Sequence, residues 1–375
     1  MYSSRPAWAE IDCAALRANM RRARALLSPQ TRFCAVVKAD AYGHGVLPVS
    51  RIALEEGADY LAVAILREGC CLREAGFTVP ILILGCTPPE EAIRVVGHGL
   101  TQTVYAVEQA EALSRAALAL GMRAKVHVKV DTGMSRLGVA PEEAGEFCRF
   151  LAALPGLELE GLFTHFAAAD SEDKSKTQEQ FAAFKVARES ARACGLHIPI
   201  QHCANSAATL DCPETHLDMA RLGIILYGLS PTGNKALDRE GRWPIQLTPA
   251  MRLKARLAMV KTLPAGASVS YGATFTARRE MLLGTLPIGY ADGYSRMLSG
   301  KAGVLCAHKK VPLVGRICMD QCMADLSGTP EAKAGDEVTL FGPPELPADE
   351  LAALLGTINY EIVCMVGRRV PRIYL

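Results

Sequence analysis

The sequence predicts an α/β chain: a (β/α)8 barrel followed by a smaller, mainly antiparallel β domain. Three observations predict it. Short β-rich runs alternate with longer helical patterns between residues 33 and 228, and the runs number eight. After about residue 234 the pattern changes to short strand-like runs divided by turn signals. Eight alternations over roughly 200 residues are what a barrel with right-handed crossovers requires.

The strand candidates are residues 33–37, 60–64, 81–84, 103–106, 126–130, 159–164, 200–204 and 224–227. Between them, residues 178–193 read as an amphipathic helix with Phe181, Phe184 and Val186 on its buried face. Pro141 and Asp12 are helix-opening residues for stretches over 141–154 and 14–27. A doubly wound sheet is the main rival, but it announces a dinucleotide site with Gly-x-Gly-x-x-Gly after the first strand, and the sequence has no such run. In the second part, strand-like runs fall at 256–261, 282–286, 304–306, 311–317, 322–326 and 337–340, with one strong helical pattern over 347–355. The expected division is a barrel over 9–233 and a β domain over 234–375, with residues 1–8 packing on the latter and a linker at 233–241.

Composition excludes several classes. A net charge of +2 without a basic stripe does not suit a nucleic-acid partner. The 13 cysteines contain no Cys-x-x-Cys pair, which argues against a zinc site and for reduced thiols; no metal is expected. The start lacks a signal-peptide apolar core, and runs such as 61–66 are far shorter than the roughly 20 residues that span a bilayer. No membrane association and a cytoplasmic location are therefore expected.

In a barrel, reactive groups gather where strands end at the C-terminal rim. Lys38 directly follows the first strand candidate, Asp131 ends the fifth, His165 the sixth, Asn205 and Ser206 the seventh, and Arg221 and Gly223 flank the start of the eighth. A lysine after a strand is by itself an ordinary solvated loop residue. Here an apolar strand precedes it and Gly43 and Gly45 follow, which favours a buried stem, a lowered amine pKa and close backbone approach to a ligand. Residues 205–208 (NSAA) with Gly223 and Ile224 form a candidate phosphate cradle; the competing reading of Ser206 is a simple helix cap.

Nine segments in order resemble the alanine racemases, fold-type III pyridoxal-phosphate enzymes. They are 36–45 (VVKADAYGHG), 129–138 (KVDTGMSRLG), 164–167 (THFA), 204–206 (ANS), 221–224 (RLGI), 269–272 (VSYG), 289–293 (GYADG), 316–321 (RICMDQ) and 359–361 (NYE). The resemblance implies a racemase interconverting L- and D-alanine by two bases on a pyridoxal 5'-phosphate imine. It makes the barrel the cofactor-binding domain, with Lys38 forming the imine and acting as base on one face of Cα, and Tyr271, supplied across a homodimer interface, acting on the other. A free tyrosine has a pKa of about 10 and needs help at neutral pH; His165 beside Arg221 is implied to give it. Arg221 is implied to face the pyridine nitrogen, where an obligate donor keeps that nitrogen unprotonated and disfavours transamination.

The same resemblance assigns Tyr42, Tyr360, Ser206, Gly223 and Ile224 to the cofactor phosphate. Arg136 is assigned to the substrate carboxylate and the cofactor's phenolic oxygen, and Met319 to the substrate through its backbone. Lys129 corresponds to a lysine that many members carry as a carbamate orienting Arg136. Tyr290, Arg296, Arg316, Asp320 and Ile358 match the family's access corridor. The chain departs at Leu222, where the family commonly has a proline that restricts the backbone. Retention of Tyr360 tilts the preference towards alanine over serine, and D-alanine implies supply of the cell wall. Two other functions are possible on such a barrel. A non-catalytic cofactor carrier on the same barrel would lack the second domain. A basic amino-acid decarboxylase would place a carboxylate, not Arg221, at the ring nitrogen.

Overall fold

The chain is described by a computed structural model covering residues 5–233, 238, 241–342 and 344–375. The first strand, β1 (Ala7–Ile11), is followed by Asp12, whose carboxylate accepts from the Ala15 N–H and so caps the helix Cys13–Arg24. The barrel strands are β2 (Arg32–Val36), β3 (Tyr60–Val63), β4 (Ile81–Ile83), β5 (Thr101–Val104), β6 (Ala124–Lys129), β7 (Leu157–Phe163), β8 (Ile200–His202) and β9 (Met219–Leu222). All pair in parallel in the order β8-β7-β6-β5-β4-β3-β2-β9. The remaining seam between β8 and β9 is bridged by Asp218 N–H donating to Gln201 O (3.1 Å) and Arg221 N–H to Ala204 O (3.1 Å). Helices cover the outside and side chains fill the inside, so β3, β4, β5 and β9 are buried along their whole length.

The second unit contains β10 (Met251–Arg256), β11 (Met259–Leu263), β12 (Ser268–Val269), β13 (Phe275–Thr276), β14 (Met281–Leu286), β15 (Gly303–Cys306), β16 (Lys309–Val314), β17 (Cys322–Asp325), β18 (Glu337–Phe341) and β19 (Arg372–Tyr374). Apart from the β12–β13 hairpin these join β1 in one sheet, ordered β11-β14-β17-β16-β15-β18-β10-β1-β19. β1 pairs antiparallel with β10 and parallel with β19, so an N-terminal strand is clamped inside the C-terminal sheet.

Several expected elements differ. Residues 224–227 are a 3-10 turn, not the eighth strand, ended by Gly228 in the left-handed region. A short apolar run fits either form, and the actual strand, β9, was masked by Arg221 in its centre. Arg221 therefore lies within the strand, and Gly223 follows it rather than flanking its start. Asp131 lies beyond β6, which ends at Lys129. The run 256–261 is divided: β10 ends at Arg256 and β11 starts at Met259. In the helix Ser175–Ala193, Phe184 is buried, but Val186 is 47% exposed and the inner face is completed by Thr177, Gln180, Ala187 and Ala191. A second C-terminal helix, Asn359–Met365, follows the expected one at Ala348–Leu355. Most of the expected linker at 233–241 lies outside the described residues.

Candidate active site

Lys38 opens a short turn directly after β2 and Val37. The next four residues, Ala39, Asp40, Ala41 and Tyr42, all have φ of 52–54°, a left-handed turn that costs about 1–2 kcal/mol per residue for L-amino acids. The surroundings enforce it. Glu68 accepts from Ala39 N–H (2.7 Å), and Asp40 accepts from Val46 N–H on its side chain (2.7 Å) and from Gly45 N–H on its carbonyl (2.9 Å). From the β domain, Arg372 donates to Gly43 O (3.0 Å) and Tyr374 OH to His44 O (3.1 Å). Gly43 is obligatory, since a Cβ there would lie 2.2 Å from the Val363 carbonyl oxygen at a φ of 80°. The strained turn thus points Lys38 and Tyr42 into one cavity of about 580 Å³, within the range of small-molecule sites.

That cavity is lined by Lys38, Tyr42, Lys129, Arg136, His165, Ser206, Arg221, Gly223, Ile224, Ile358 and Tyr360. Burial, then the Arg136 guanidinium, lowers the Lys38 pKa, which favours its neutral, nucleophilic amine. Lys129 is buried, donates to Val130 O (2.6 Å), and is brought down to about 7 by burial and then by Arg221. Asp131 is drawn away from the pocket: its Oδ1 accepts from the N–H groups of Gly133, Met134 and Ser135.

Ser206 is not the helix cap. Asn205 fills that role by accepting from Ala208 N–H (3.0 Å), leaving the Ser206 hydroxyl to accept from Gly223 N–H (2.9 Å). Tyr42 packs between Tyr227 and Tyr360, with ring centroids 4.9 and 6.2 Å away, while Tyr360 OH donates to Pro231 O (3.1 Å). Asn359 is wholly buried; its amide N–H donates to Gly233 O and its side chain to Asp349 Oδ1 (3.1 Å), seating Tyr360 at the cavity wall.

Arg221 is buried, and burial brings it down to about 10. It donates to His202 Nδ1 (2.7 Å), Thr164 O (2.8 Å), Cys203 O (3.1 Å) and His165 Nδ1 (3.2 Å). Burial followed by the Arg221 charge keeps His165 well below the usual imidazole range, hence neutral. Arginine can only donate, so His165 Nδ1 accepts and its proton sits on Nε2.

Other expected site residues fall elsewhere. Tyr271, between β12 and β13, is 70% exposed and Met319 is 53% exposed; neither lines this cavity. Tyr271 shares a shallow depression with Ser270, Cys318 and Gln321. The loops bearing it, Arg316, Met319 and Tyr290 are tied together: Ser270 Oγ donates to Arg316 O (2.6 Å), Tyr290 N–H to Cys318 O (3.1 Å) and Ala291 N–H to Met319 O (3.0 Å). Asp320 pairs with Arg369 (2.6 Å), and Arg296 is exposed on its own short turn. Of the corridor set only Ile358 lines the cavity. Sequence reasoning missed His202, Glu68, Asp40 and Asn359. His202 ends β8 two residues before the 204–206 segment, a position that the strand-end rule marks.

A nearly closed barrel with a lysine of lowered pKa, a buried arginine and N–H and hydroxyl groups gathered around one cavity at its rim has the architecture of a barrel enzyme with a small-molecule site. The comparisons are specific. Family models for the alanine racemase N-terminal and C-terminal domains match residues 11–231 and 250–374. The alanine racemase of Desulfovibrio desulfuricans is 58% identical over 371 residues, covering 99% of this chain and 98% of that one. The alanine racemase of Methanococcus maripaludis is 47% identical, covering 99% of both. The solved alanine racemase of Clostridium difficile 630 superposes with a TM-score of 0.95 at 42% identity, covering 100% of this chain and 97% of that one. That of Bacillus anthracis, with bound L-Ala-P, gives 0.93 at 38%, covering 100% and 96%. The chain belongs to the alanine racemase family, and it is an isomerase.

Proposed function

We propose that this chain interconverts L- and D-alanine with pyridoxal 5'-phosphate held at Lys38, in a homodimer with two shared sites. The observation that carries the reading is the convergence of Lys38, Arg221 and the Ser206–Gly223 pair on one cavity. The family uses this cofactor, and the residues present fit it. A Cβ at position 223 would lie 2.7 Å from the Tyr42 hydroxyl, so the cradle stays open to a phosphate only because the residue is glycine. Ser206, Tyr42 and the N–H of Ile224 complete a set of neutral donors suited to an anion, and Tyr360, which would turn its hydroxyl from Pro231 O to join them, lines the same cavity.

When bound, the cofactor supplies an electron-withdrawing ring that acidifies the substrate Cα proton. Lys38 binds it and, with its lowered pKa, takes or returns that proton on one face. Tyr271 of the partner subunit does so on the other face, with His165 and Arg221 adjusting its proton affinity. Arg221, an obligate donor, would face the ring nitrogen of the bound cofactor and would leave it unprotonated. Arg136, with the backbone of Met319 of the partner subunit, receives the substrate carboxylate, and Lys129, if carbamylated, would orient Arg136. Tyr290, Arg296, Arg316, Asp320 and Ile358 form the access corridor.

The dimer is supported by exposure: Tyr271 and Met319 stand out from the β domain and away from their own barrel cavity. We take residues 9–233 as the cofactor domain and 234–375 as the domain that lends the opposing base. No helix among the described residues is long and apolar enough to cross a membrane, and we assign the enzyme to the cytoplasm, supplying D-alanine to the cell wall.

The test is chiral analysis of alanine incubated with cofactor-loaded protein. Both enantiomers should converge on one mixture, and Lys38→Ala should lose both the visible absorbance and the conversion. Loaded protein that leaves each enantiomer unchanged refutes the reading.

A further inference from the structure

Arg221 is a buried cation without a carboxylate in ion-pair contact among the described residues, yet a chain of buried polar groups leads from it to one. Its Nη1 meets His202 Nδ1 at 2.7 Å, His202 Nε2 meets His127 Nδ1 at 2.9 Å, and His127 Nε2 meets Glu160 Oε2 at 3.1 Å. Both histidines are fully buried and Glu160 is 7% exposed. The direction of every bond follows from its ends. Arginine only donates, so His202 Nδ1 accepts and its proton is on Nε2. That proton goes to His127 Nδ1, which places the His127 proton on Nε2, facing a carboxylate that only accepts. Each imidazole turns its lone pair to the cation and its N–H to the anion, an arrangement in which consecutive bonds polarise one another.

The surroundings are shaped for this chain. Pairing of β6 with β7 runs Val126 to Leu159 and then His127 to Gly161, so Glu160 is the extra residue of a bulge that re-aims a side chain. Gly161 makes room for the ring, because a Cβ there would lie 2.4 Å from His127. Phe163 stacks on His202 at 4.7 Å with an interplanar angle of 1°, and the Arg221 guanidinium lies 5.3 Å from the same ring. Tyr60 OH (2.7 Å) and Lys125 Nζ (2.6 Å) also donate to Glu160. Burial pushes the Glu160 carboxyl up, but the bonds from His127, Lys125 and Tyr60 outweigh it and hold it at about 2, fully ionised.

We propose that Glu160 is a remote positioning residue for Arg221: through His127 and His202 it fixes the guanidinium at the barrel rim without placing an acid in the cavity. The inference rests on the reading that Arg221 serves the cofactor's ring nitrogen. A carboxylate in direct contact would compete for the N–H groups that Arg221 needs to present; three bonds of separation avoid that.

The experiment has two arms. In protein labelled with 15N-histidine, with and without pyridoxal phosphate, His127 and His202 should both be neutral and protonated at Nε2 through the neutral pH range. A protonated Nδ1 on either ring overturns the chain, whatever the activity. In the second arm, Glu160→Gln keeps an acceptor for His127 without the charge, and Glu160→Ala removes both. Outer hydrogen-bond partners of metal ligands are worth about ten- to a hundredfold in activity; taking that as the scale for this chain of bonds, Gln is expected near the lower and Ala near the upper figure. Each variant should also shift the 15N signal of the bound ring nitrogen and raise the share of turnovers ending in pyruvate. Variants that fold, bind cofactor and match the parent in rate, ring-nitrogen signal and pyruvate share refute the proposal. A parent protein that does not racemise alanine defeats the functional reading instead, and the histidine tautomers are measured independently of it.

Discussion

Replacing Lys129 with methionine in the cofactor-free chain should flatten the dependence of stability on pH. Lys129 is 6% exposed, and burial, then the Arg221 guanidinium, bring its amine from 10.5 to about 7. Between those values the folded amine is neutral while the unfolded one is charged, so unfolding takes up a proton and stability rises with pH across this window. Below about 7 the amine is charged in both states and the full cost of burying the charge applies. A lowering from 10.5 to about 7 corresponds to at most about 5 kcal/mol. Methionine fills similar volume, carries no charge and loses the bond to Val130 O, a pH-independent change that cancels in a difference of slopes. The assay is urea unfolding of both chains at fixed protein concentration in carbon-dioxide-free buffer, from about pH 6 to about pH 10. The parent should gain several kcal/mol relative to the variant across the series. Parallel curves would refute the premise that the amine is held neutral. The same neutrality fits Lys129 for carbamylation: Nζ bonds to the carbon of carbon dioxide and an N–H proton leaves to solvent. Added bicarbonate should then stabilise the parent and not the variant.

Three further outcomes are expected. Gly223→Ala puts a Cβ 2.7 Å from the Tyr42 hydroxyl, and with Tyr42 wedged between Tyr227 and Tyr360 the overpacking should cost about 1–3 kcal/mol; a cofactor titration should show weaker binding, and parent-like affinity would contradict the cradle. Asn359→Ala leaves the buried Asp349 carboxylate without this donor and should lower stability by about 1–3 kcal/mol, measured by thermal unfolding, with weakened cofactor retention because Tyr360 is adjacent. Mixing Lys38→Ala chains with Tyr271→Phe chains, each inactive alone, tests the shared sites. With free exchange half of the dimers are hybrids, each with one intact site of two, so about a quarter of parent activity should return; no recovery despite demonstrated exchange would place both residues in one chain's site.

What the sequence made legible follows from which forces are local. Lys38, His165 and Arg221 could be placed at a rim because strand periodicity and strand ends are short-range signals, and all three line the cavity. β9 was misread because Arg221, the residue of most chemical interest, breaks the apolar run that marks a strand. The left-handed turn after Lys38 was invisible: Ala39, Asp40 and Ala41 carry no local preference for positive φ, and what imposes it includes Glu68 and, from the far end of the chain, Arg372 and Tyr374. The histidine chain illustrates the same limit. His127, Glu160 and His202 lie on three different strands; His127 pairs with Gly161, and Glu160, the extra residue at the bulge, reaches the His127 ring through its side chain. A bulge is a property of two strands together, so no window along one strand reports it. Buried charge is thus where sequence reading is weakest here: the acceptors that surround Arg221 come from separate strands and meet only in the folded barrel.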